Sequence, residues 1–132
     1  MTVTPDDAPF DHAAWQTMLD AADLPDATAW IGVLGRVDFA ARHGRLLLWR
    51  RDAAGVRITT RAYDGVAGDD VALLLVVADA AVTQLLASGL ERIPALVRDG
   101  TLHPYMLMTL DGLEDAGLAD FVEDMGLVFP KH

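Results

Sequence analysis

Cysteine is absent from this chain of 132 residues, and its absence excludes several kinds of chemistry at once. A chain without cysteine has no disulfides, no thiolate nucleophiles and no sulfur-ligated metals. Long apolar runs are missing too: no stretch reaches the roughly eighteen residues that a membrane-spanning helix needs. Residues 1–7 lack the basic flank and the apolar segment of an export signal. Together these absences predict a cytoplasmic location with no transmembrane segment.

Patterns that would bind a metal or a nucleotide are also scarce. The four histidines are far apart in the sequence and form no helical i, i+4 pair: His12, His43, His103 and His132. The spaced glycine pairs at 32/35 and 65/68 are not followed by Lys-Ser or Lys-Thr, and neither completes a dinucleotide-binding fingerprint. We therefore expect no metal and no cofactor.

Candidates for a catalytic centre are few. Ser88, the only serine, falls where a helix is predicted to end. Thr101, His103 and Tyr105 would share one face of an unbroken strand, which makes a His–Tyr acid–base pair conceivable. A strand face with mixed polar residues explains the same spacing without chemistry. The sequence predicts no catalytic residue, and a weak enzyme that uses His103 and Tyr105 is a minority hypothesis.

The formal net charge of −10 is distributed unevenly. Residues 1–35 carry −6, residues 36–61 carry +5 because seven arginines outnumber two aspartates, and residues 62–132 carry −9. The basic block could be a docking surface for an anionic group or an acidic partner. Alternatively, its arginines face outward from strands and pair with neighbouring acidic helices. Because no exposed aromatics are interleaved with the arginines, we do not expect nucleic-acid binding.

Apolar periodicity predicts a first helix over residues 10–23, where Trp15, Met18, Leu19 and Ala22 fall on one side. Residues 29–41 are ambiguous. Their β-type side chains suit a strand, whereas the glycines at 32 and 35 would weaken a helix and could mark a bend or bulge in a strand.

The middle of the chain predicts strands. Residues 45–51 and 56–63 form two β-runs joined by a hairpin connection that ends at Gly55. Residues 71–78 are unbroken apolar and predict a central strand covered on both faces. Residues 101–110 predict a last strand, in which Pro104 favours an edge position or a bulge.

Helices should fill the rest. Asp79 is a plausible N-cap for a helix ending at Ser88, and Pro94 suits the first turn of a helix ending at Gly100. A capping-box spacing at residues 111–114 predicts a closing helix that ends at Gly126, with an apolar stripe of Leu118, Phe121, Val122 and Met125. The sequence thus predicts one α+β domain over residues 1–132, with an antiparallel-dominated sheet of about five strands covered by helices.

Several short segments resemble the sterol carrier protein type 2 family, including the related C-terminal domain of alkyl sulfatases. They lie between about residues 35 and 130: Gly35-Arg-Val-Asp-Phe39, Arg45-Leu-Leu-Leu-Trp49, Gly55-Val-Arg-Ile-Thr59, Asp70-Val-Ala-Leu-Leu-Leu75, Ala78-Asp79-Ala80, Leu85-Leu86-Ala-Ser-Gly89, Leu96-Val-Arg-Asp-Gly100-Thr-Leu102 and Phe129-Pro130. The chain departs from the family at His103-Pro104-Tyr105, where a Gly-Asp pair is usual.

The resemblance implies a non-catalytic binding module that holds a lipid, an acyl chain or another hydrophobic small molecule between the sheet and the C-terminal helix. Carried over to this chain, it implies the ligand-binding residues Trp49, Met106, Met108, Leu118, Phe121, Val122 and Met125. From the residues alone the same apolar side chains could be core, pocket or interface, because methionine adapts to varied apolar shapes. The alternative is a small acidic protein-interaction module of chaperone, immunity or adaptor type, which we would expect to be a homodimer.

Overall fold

The structure of the protein is a computed structural model that describes residues 12–22 and 24–125. Its six helices are α1 (His12–Ala21), α2 (Arg36–Ala41), α3 (Asp79–Ser88), α4 (Ile93–Asp99), α5 (Leu110–Ala116) and α6 (Ala119–Asp124), with a 3₁₀ turn at Leu90–Arg92. Its five strands are β1 (Trp30–Gly35), β2 (Gly44–Asp52), β3 (Gly55–Tyr63), β4 (Val71–Val77) and β5 (Leu102–Met106). Within these residues, no helix combines the length and the apolar character needed to cross a bilayer.

The five strands form one mixed sheet in the order β3-β2-β1-β4-β5. Three neighbouring pairs are antiparallel, and β1 with β4 is the single parallel pair. The predicted α+β class with a predominantly antiparallel sheet is therefore confirmed. The parallel pair arises because β3 and the following loop carry the chain back to the side of β1 that β2 leaves free.

Strand β4 has no exposed side chain: all seven residues from Val71 to Val77 are buried. It lies between β1 and β5, so its backbone is paired on both sides as well. The prediction of a central strand covered on both faces is confirmed. Side chains alternate between the two faces of a strand, so an unbroken apolar run requires apolar cover on each face.

The two faces of the sheet are covered very differently. On one side, here called the helical face, side chains such as Val33, Leu47 and Leu75 join the main core with α1, α3, α4, α5 and α6. On the other side, the outer face, Leu34, Leu46 and Leu74 form a smaller cluster. Among the described residues, α2 and the loop over residues 64–70 cover that cluster, and α2 has no fully buried residue.

Pro104 lies in β5, which is an edge strand as predicted. The bonds from Ala78 N to Thr101 O and from Leu107 N to Ala72 O bracket the β4–β5 ladder. Since bonded positions alternate in an antiparallel pair, the odd-numbered residues of β5 bond to β4 and Pro104 faces the free edge. A proline is tolerated there because no N–H is needed, and it blunts the edge against further strand pairing.

Residues 29–41, which the sequence leaves ambiguous, are a strand followed by a helix. β1 ends at Gly35, and α2 begins at Arg36. Gly32 does not mark a bulge, because the irregularity of β1 lies between Trp30 and Ile31. A Cβ at Gly32 would lie 3.0 Å from Leu46 Cδ1 and 3.2 Å from Leu74 Cδ1. Because residue 32 has no side chain, these two leucines can pack against the backbone of β1 at this position.

The single closing helix predicted from residue 111 is wrong, because the chain forms two short helices there. Thr109, not the predicted capping box, is the N-cap of α5: its Oγ1 accepts a hydrogen bond from Gly112 N at 3.1 Å. Gly117 then adopts φ +86° and ends α5 before α6 begins. At α3 the N-cap is Ala78, and Asp79 is the first helical residue, in the first turn where a negative charge is favourable. The predicted end at Gly126 lies outside the described residues.

Gly117→Ala should destabilise the protein more than Gly100→Ala, although both glycines end helices with positive φ. A Cβ at residue 100 would meet no atom within 4 Å, so that substitution should cost about 1 kcal/mol of left-handed strain. A Cβ at residue 117 would lie 2.5 Å from the backbone oxygen of Asp26, so we expect a loss of roughly 2–3 kcal/mol or more. Urea unfolding of the two variants tests this order, and equal losses would contradict it.

Candidate functional site

An open groove runs along the helical side of the molecule, between α1, the end of α3 and α6. Its volume is about 780 Å³. The apolar side chains that line it come from all three helices and their connections: Met18, Leu24, Leu86, Leu90, Phe121 and Met125. The groove is open to solvent along one side and has the core beneath it.

Helix α1 supplies one wall of the groove because its two sides differ in residue size. Trp15 and Leu19 are fully buried and face the core. Ala14, Thr17 and Ala21 turn toward the groove. Because these three side chains are short, α1 leaves space between itself and the neighbouring helices instead of filling it.

The end of α3 supplies the opposite wall. Leu85 is fully buried in the core, whereas Leu86 is half-buried and lines the groove. The apolar spacing of Val82, Leu85 and Leu86 predicts a buried stripe on this helix that includes both leucines, and the half-burial of Leu86 corrects that prediction. Gly89, with φ +90°, ends α3 and turns the chain so that Leu90 and Glu91 continue the same wall.

Two of the seven predicted ligand-binding residues line the groove: Phe121, which is 5% exposed, and Met125, which is half-buried. Three others, Trp49, Leu118 and Val122, are buried in the main core. Phe121 belongs to both environments, because the same ring also contacts Trp49 inside the core.

The space between the sheet and α6, where the family resemblance would place a ligand, is filled by side chains. The rings of Trp49 and Phe121 meet edge to face with their centroids 6.0 Å apart. The cavity beside them measures only about 10 Å³, roughly the room of one water molecule. Trp49 Nε1 is buried there without a hydrogen-bond partner among the described residues. An acyl chain does not fit in this space as it stands.

The remaining predicted residues, Met106 and Met108, lie elsewhere. Both are half-buried and pack against the main core. Met106 is at the end of β5, opposite Leu73 of β4, and neither methionine lines the groove. The structure therefore brings Phe121 and Met125 together at an open surface and separates the other five from it.

The groove residues that the sequence does not single out come from α1 and α3. A signal is present in the sequence: Ala14, Thr17 and Ala21 flank the apolar stripe of α1, at positions where a solvated helix would normally carry charges. Helix periodicity predicts which side of α1 is buried, but it gives no information about the distance to the next helix. The groove depends on that distance.

The charges at and around the groove are predominantly negative. Among the described residues, Glu91 is the only charged side chain that lines the groove, and no lysine or arginine of this part of the chain lines it. The helices on this side of the sheet, α1 and α3 to α6 with the 3₁₀ turn, carry ten acidic residues and two arginines, a net charge of −8. An anionic ligand would be repelled here, whereas a neutral apolar molecule would not.

The two residues of the conceivable His–Tyr pair share one face of β5. His103 and Tyr105 lie opposite Val76 and Leu74 and share the outer face, as the spacing predicts. Tyr105 stacks on Phe39, with ring centroids 5.2 Å apart, and no hydrogen bond joins it to His103 within the described residues. The part of the chain that the structure describes also contains no group of three metal-ligating side chains.

Within the described residues, four arginines of the basic block (Arg50, Arg51, Arg57 and Arg61) pair with aspartates of loops or of a strand end, and none of these aspartates lies in a helix, in contrast to the alternative interpretation of the sequence. Arg57 binds Asp52 across the β2–β3 hairpin. Arg61 of β3 forms a two-pronged ion pair with Asp70, with Nη1–Oδ1 2.8 Å and Nη2–Oδ2 2.7 Å. Arg61 also donates to Ala67 O at 3.0 Å, so this side chain fastens the loop over residues 64–70 to the sheet.

A second concave surface lies on the outer face, beside that loop. This outer-face dent has a volume of about 300 Å³. Its lining is mainly apolar and aromatic, from α2, β3, the loop, β4 and the end of β5: Phe39, Tyr63, Val66, Leu74, Tyr105 and Leu107.

No protein-family model matches this chain, and no curated protein matches it. The resemblance to sterol carrier proteins therefore remains a hypothesis from short segments.

The Arg61–Asp70 pair should make stability depend on pH at acidic values. The hydrogen bonds from Arg61 hold the pKa of Asp70 below its usual value, so the pair stabilises the fold above that usual value, about 3.9, and loses its effect as the pH falls through the lowered pKa. Asp70→Asn should lower the free energy of unfolding at about pH 6 by less than about 1 kcal/mol, since both side chains are partly exposed.

The difference between Asp70→Asn and the unmodified protein should disappear toward about pH 2. Asp64→Asn, in the same loop and without an ion pair among the described residues, is the matched control. Urea unfolding of the three proteins at several pH values measures the effect. A difference that is constant with pH would contradict the assignment.

Proposed function

We propose that the protein is a non-catalytic binding module that holds a neutral apolar chain, such as a lipid acyl chain, in the groove between α1, α3 and α6. The observation that carries this proposal is the groove itself, with an apolar lining contributed by three helices. Its volume of about 780 Å³ falls in the range of about 300–1,000 Å³ that small-molecule sites occupy.

The expected affinity follows from the hydrophobic effect. Burying a methylene group contributes about 0.8 kcal/mol, so a fully covered chain of twelve carbons would contribute roughly 10 kcal/mol. Association costs at least about 4 kcal/mol, which leaves a dissociation constant in the tens of micromolar. A groove open on one side covers the chain less completely, so shorter chains should bind much more weakly.

The charge of the surroundings selects the head group. With Glu91 at the groove and a net charge of −8 on the helices of this side, a carboxylate or phosphate would meet no lysine or arginine among the described residues that line the groove. A neutral head group avoids this repulsion. The proposed ligand class is therefore an uncharged amphiphile, for example a monoacylglycerol or a fatty alcohol.

The proposed site differs from the location that the resemblance implies. The sterol-carrier comparison places the ligand between the sheet and the C-terminal helix, where Trp49 and Phe121 are in contact. Here the ligand would lie on the other side of α6, along Phe121 and Met125, with Leu86 across from them. No catalytic step is part of this function.

Leu86→Glu should abolish binding of a neutral apolar probe, such as N-phenyl-1-naphthylamine, because it introduces a charge into the wall of the groove. We expect the dissociation constant to rise at least about tenfold, since an ionised group is poorly accommodated beside a buried chain. Probe fluorescence measures binding, and displacement by monolauroylglycerol shows that the ligand class competes for the same site.

Ala80→Glu is the matched control, because it adds the same charge to the exposed side of α3 outside the groove. This variant should bind the probe as the unmodified protein does. Circular dichroism and urea unfolding verify that both variants are folded. Probe binding that is equal in the two variants, or absent from the unmodified protein, would remove the proposal.

A further inference from the structure

We propose that the outer face of the sheet is the contact surface for a second copy of this chain, packed face to face about a two-fold axis. This surface is separate from the helical groove, and the inference does not depend on the groove binding a ligand. Three properties of the outer-face dent and its surroundings support it: exposed apolar side chains, two charges of opposite sign without an ion-pair partner in the described part of the chain, and a balanced local charge.

The first property is apolar exposure. Val66 is 69% exposed, Leu107 44% and Tyr105 41%, and all three line the dent of about 300 Å³. Val37 belongs to α2, the helix that contributes Phe39 to the dent, and is 80% exposed. Contiguous apolar surface of this kind marks contact sites more often than scattered exposed residues do. In a face-to-face pair, Val66 and Leu107 of one copy would fill the dent of the other.

The second property is a pair of opposite charges at the dent. Arg42 is held in a left-handed conformation, φ 55°, at the end of α2, and its backbone N–H bonds to Phe39 O. Its guanidinium lies against Gly65, where a Cβ would be 3.1 Å from Arg42 Nε. Asp69 lines the dent from the loop. Within the described residues neither side chain has an ion-pair partner, although the neighbouring Arg61 and Asp70 bind each other.

These two charges make the surface complementary to itself. A two-fold axis makes every contact between two different residues occur twice: if residue i of one copy contacts residue j of the other, then residue j of the first copy contacts residue i of the second. The two-fold axis would lie in the plane of the interface, midway between Arg42 and Asp69. It would then place each Arg42 opposite the Asp69 of the other copy. Two ion pairs would then flank the apolar centre.

The third property explains why a second copy would approach through this face. Residues 36–42 and 55–70, which form α2, β3 and the covering loop, contain four arginines and four aspartates. The helices on the opposite side carry a net charge of −8. Two copies of such a chain repel each other least when their outer faces meet and their acidic helices point away. A stable contact needs about 800 Å² from each copy, so α2 with Val37 would have to join the dent in the interface.

Sedimentation equilibrium of the full chain over a dilution series, from micromolar concentrations upward, tests the proposal. We expect a reversible dimer. Val66→Asp should raise the dimer dissociation constant at least about tenfold. Leu110→Asp, at an exposed apolar residue outside the dent, should leave it unchanged. Circular dichroism checks that each variant is folded.

Charge exchange tests the two-fold geometry. Arg42→Asp and Asp69→Arg should each be monomeric alone, because each creates two like-charge contacts. Mixed together, they should form a heterodimer, because both contacts then join an arginine to an aspartate. The double variant Arg42→Asp/Asp69→Arg should dimerise with itself for the same reason.

Three outcomes would overturn the proposal. The unmodified protein could be a monomer at every concentration. It could form a dimer that Val66→Asp does not weaken, which would place the contact on another surface. The mixture of the two charge variants could stay monomeric, which would exclude the reciprocal pairing of Arg42 with Asp69.

Discussion

The burial of β4 on both faces is the constraint on which the rest of the structure depends. Seven consecutive apolar residues, Val71 to Val77, cannot alternate between core and water, so the sheet needs cover on each side. Five helices provide that cover on one side and one short helix with a loop provides it on the other. This unequal cover produces the groove between helices on one side and the apolar dent on the other.

The charged residues are also distributed differently on the two sides of the sheet. Acidic residues are concentrated on the helical side, whereas the arginines of residues 36–61 mostly pair with aspartates in turns and loops: Arg57 with Asp52, and Arg61 with Asp70. The two concave surfaces therefore suit different occupants. The groove lies beside acidic helices, whereas the dent lies in charge-balanced surroundings, where Arg42 and Asp69 have no ion-pair partner among the described residues. A single chain could use both surfaces at the same time.

Sequence patterns predicted those features that depend on local spacing. They include the strand at residues 71–77, the hairpin before Gly55 and the edge position of Pro104. They failed at residues 111–126, where a glycine lies inside the predicted closing helix: Gly117 ends α5, and the apolar stripe that begins at Leu118 belongs to the separate helix α6 and its ends. The stripe contains Phe121 and Met125, which line the groove, together with Leu118 and Val122, which are buried in the core, because periodicity does not show whether a second helix packs closely or stands apart. That distance depends on long-range packing.

The methionines offer the most direct test of the groove as the ligand site. Met18 and Met125 line it, whereas Met106 and Met108 pack against the core elsewhere. A titration of protein carrying ¹³C-labelled methionine methyl groups with monolauroylglycerol, followed by NMR, reports on both places at once. The account predicts saturable shifts of the Met18 and Met125 signals while those of Met106 and Met108 stay in place. Shifts confined to Met106 and Met108, or no shift of any methionine, would contradict it.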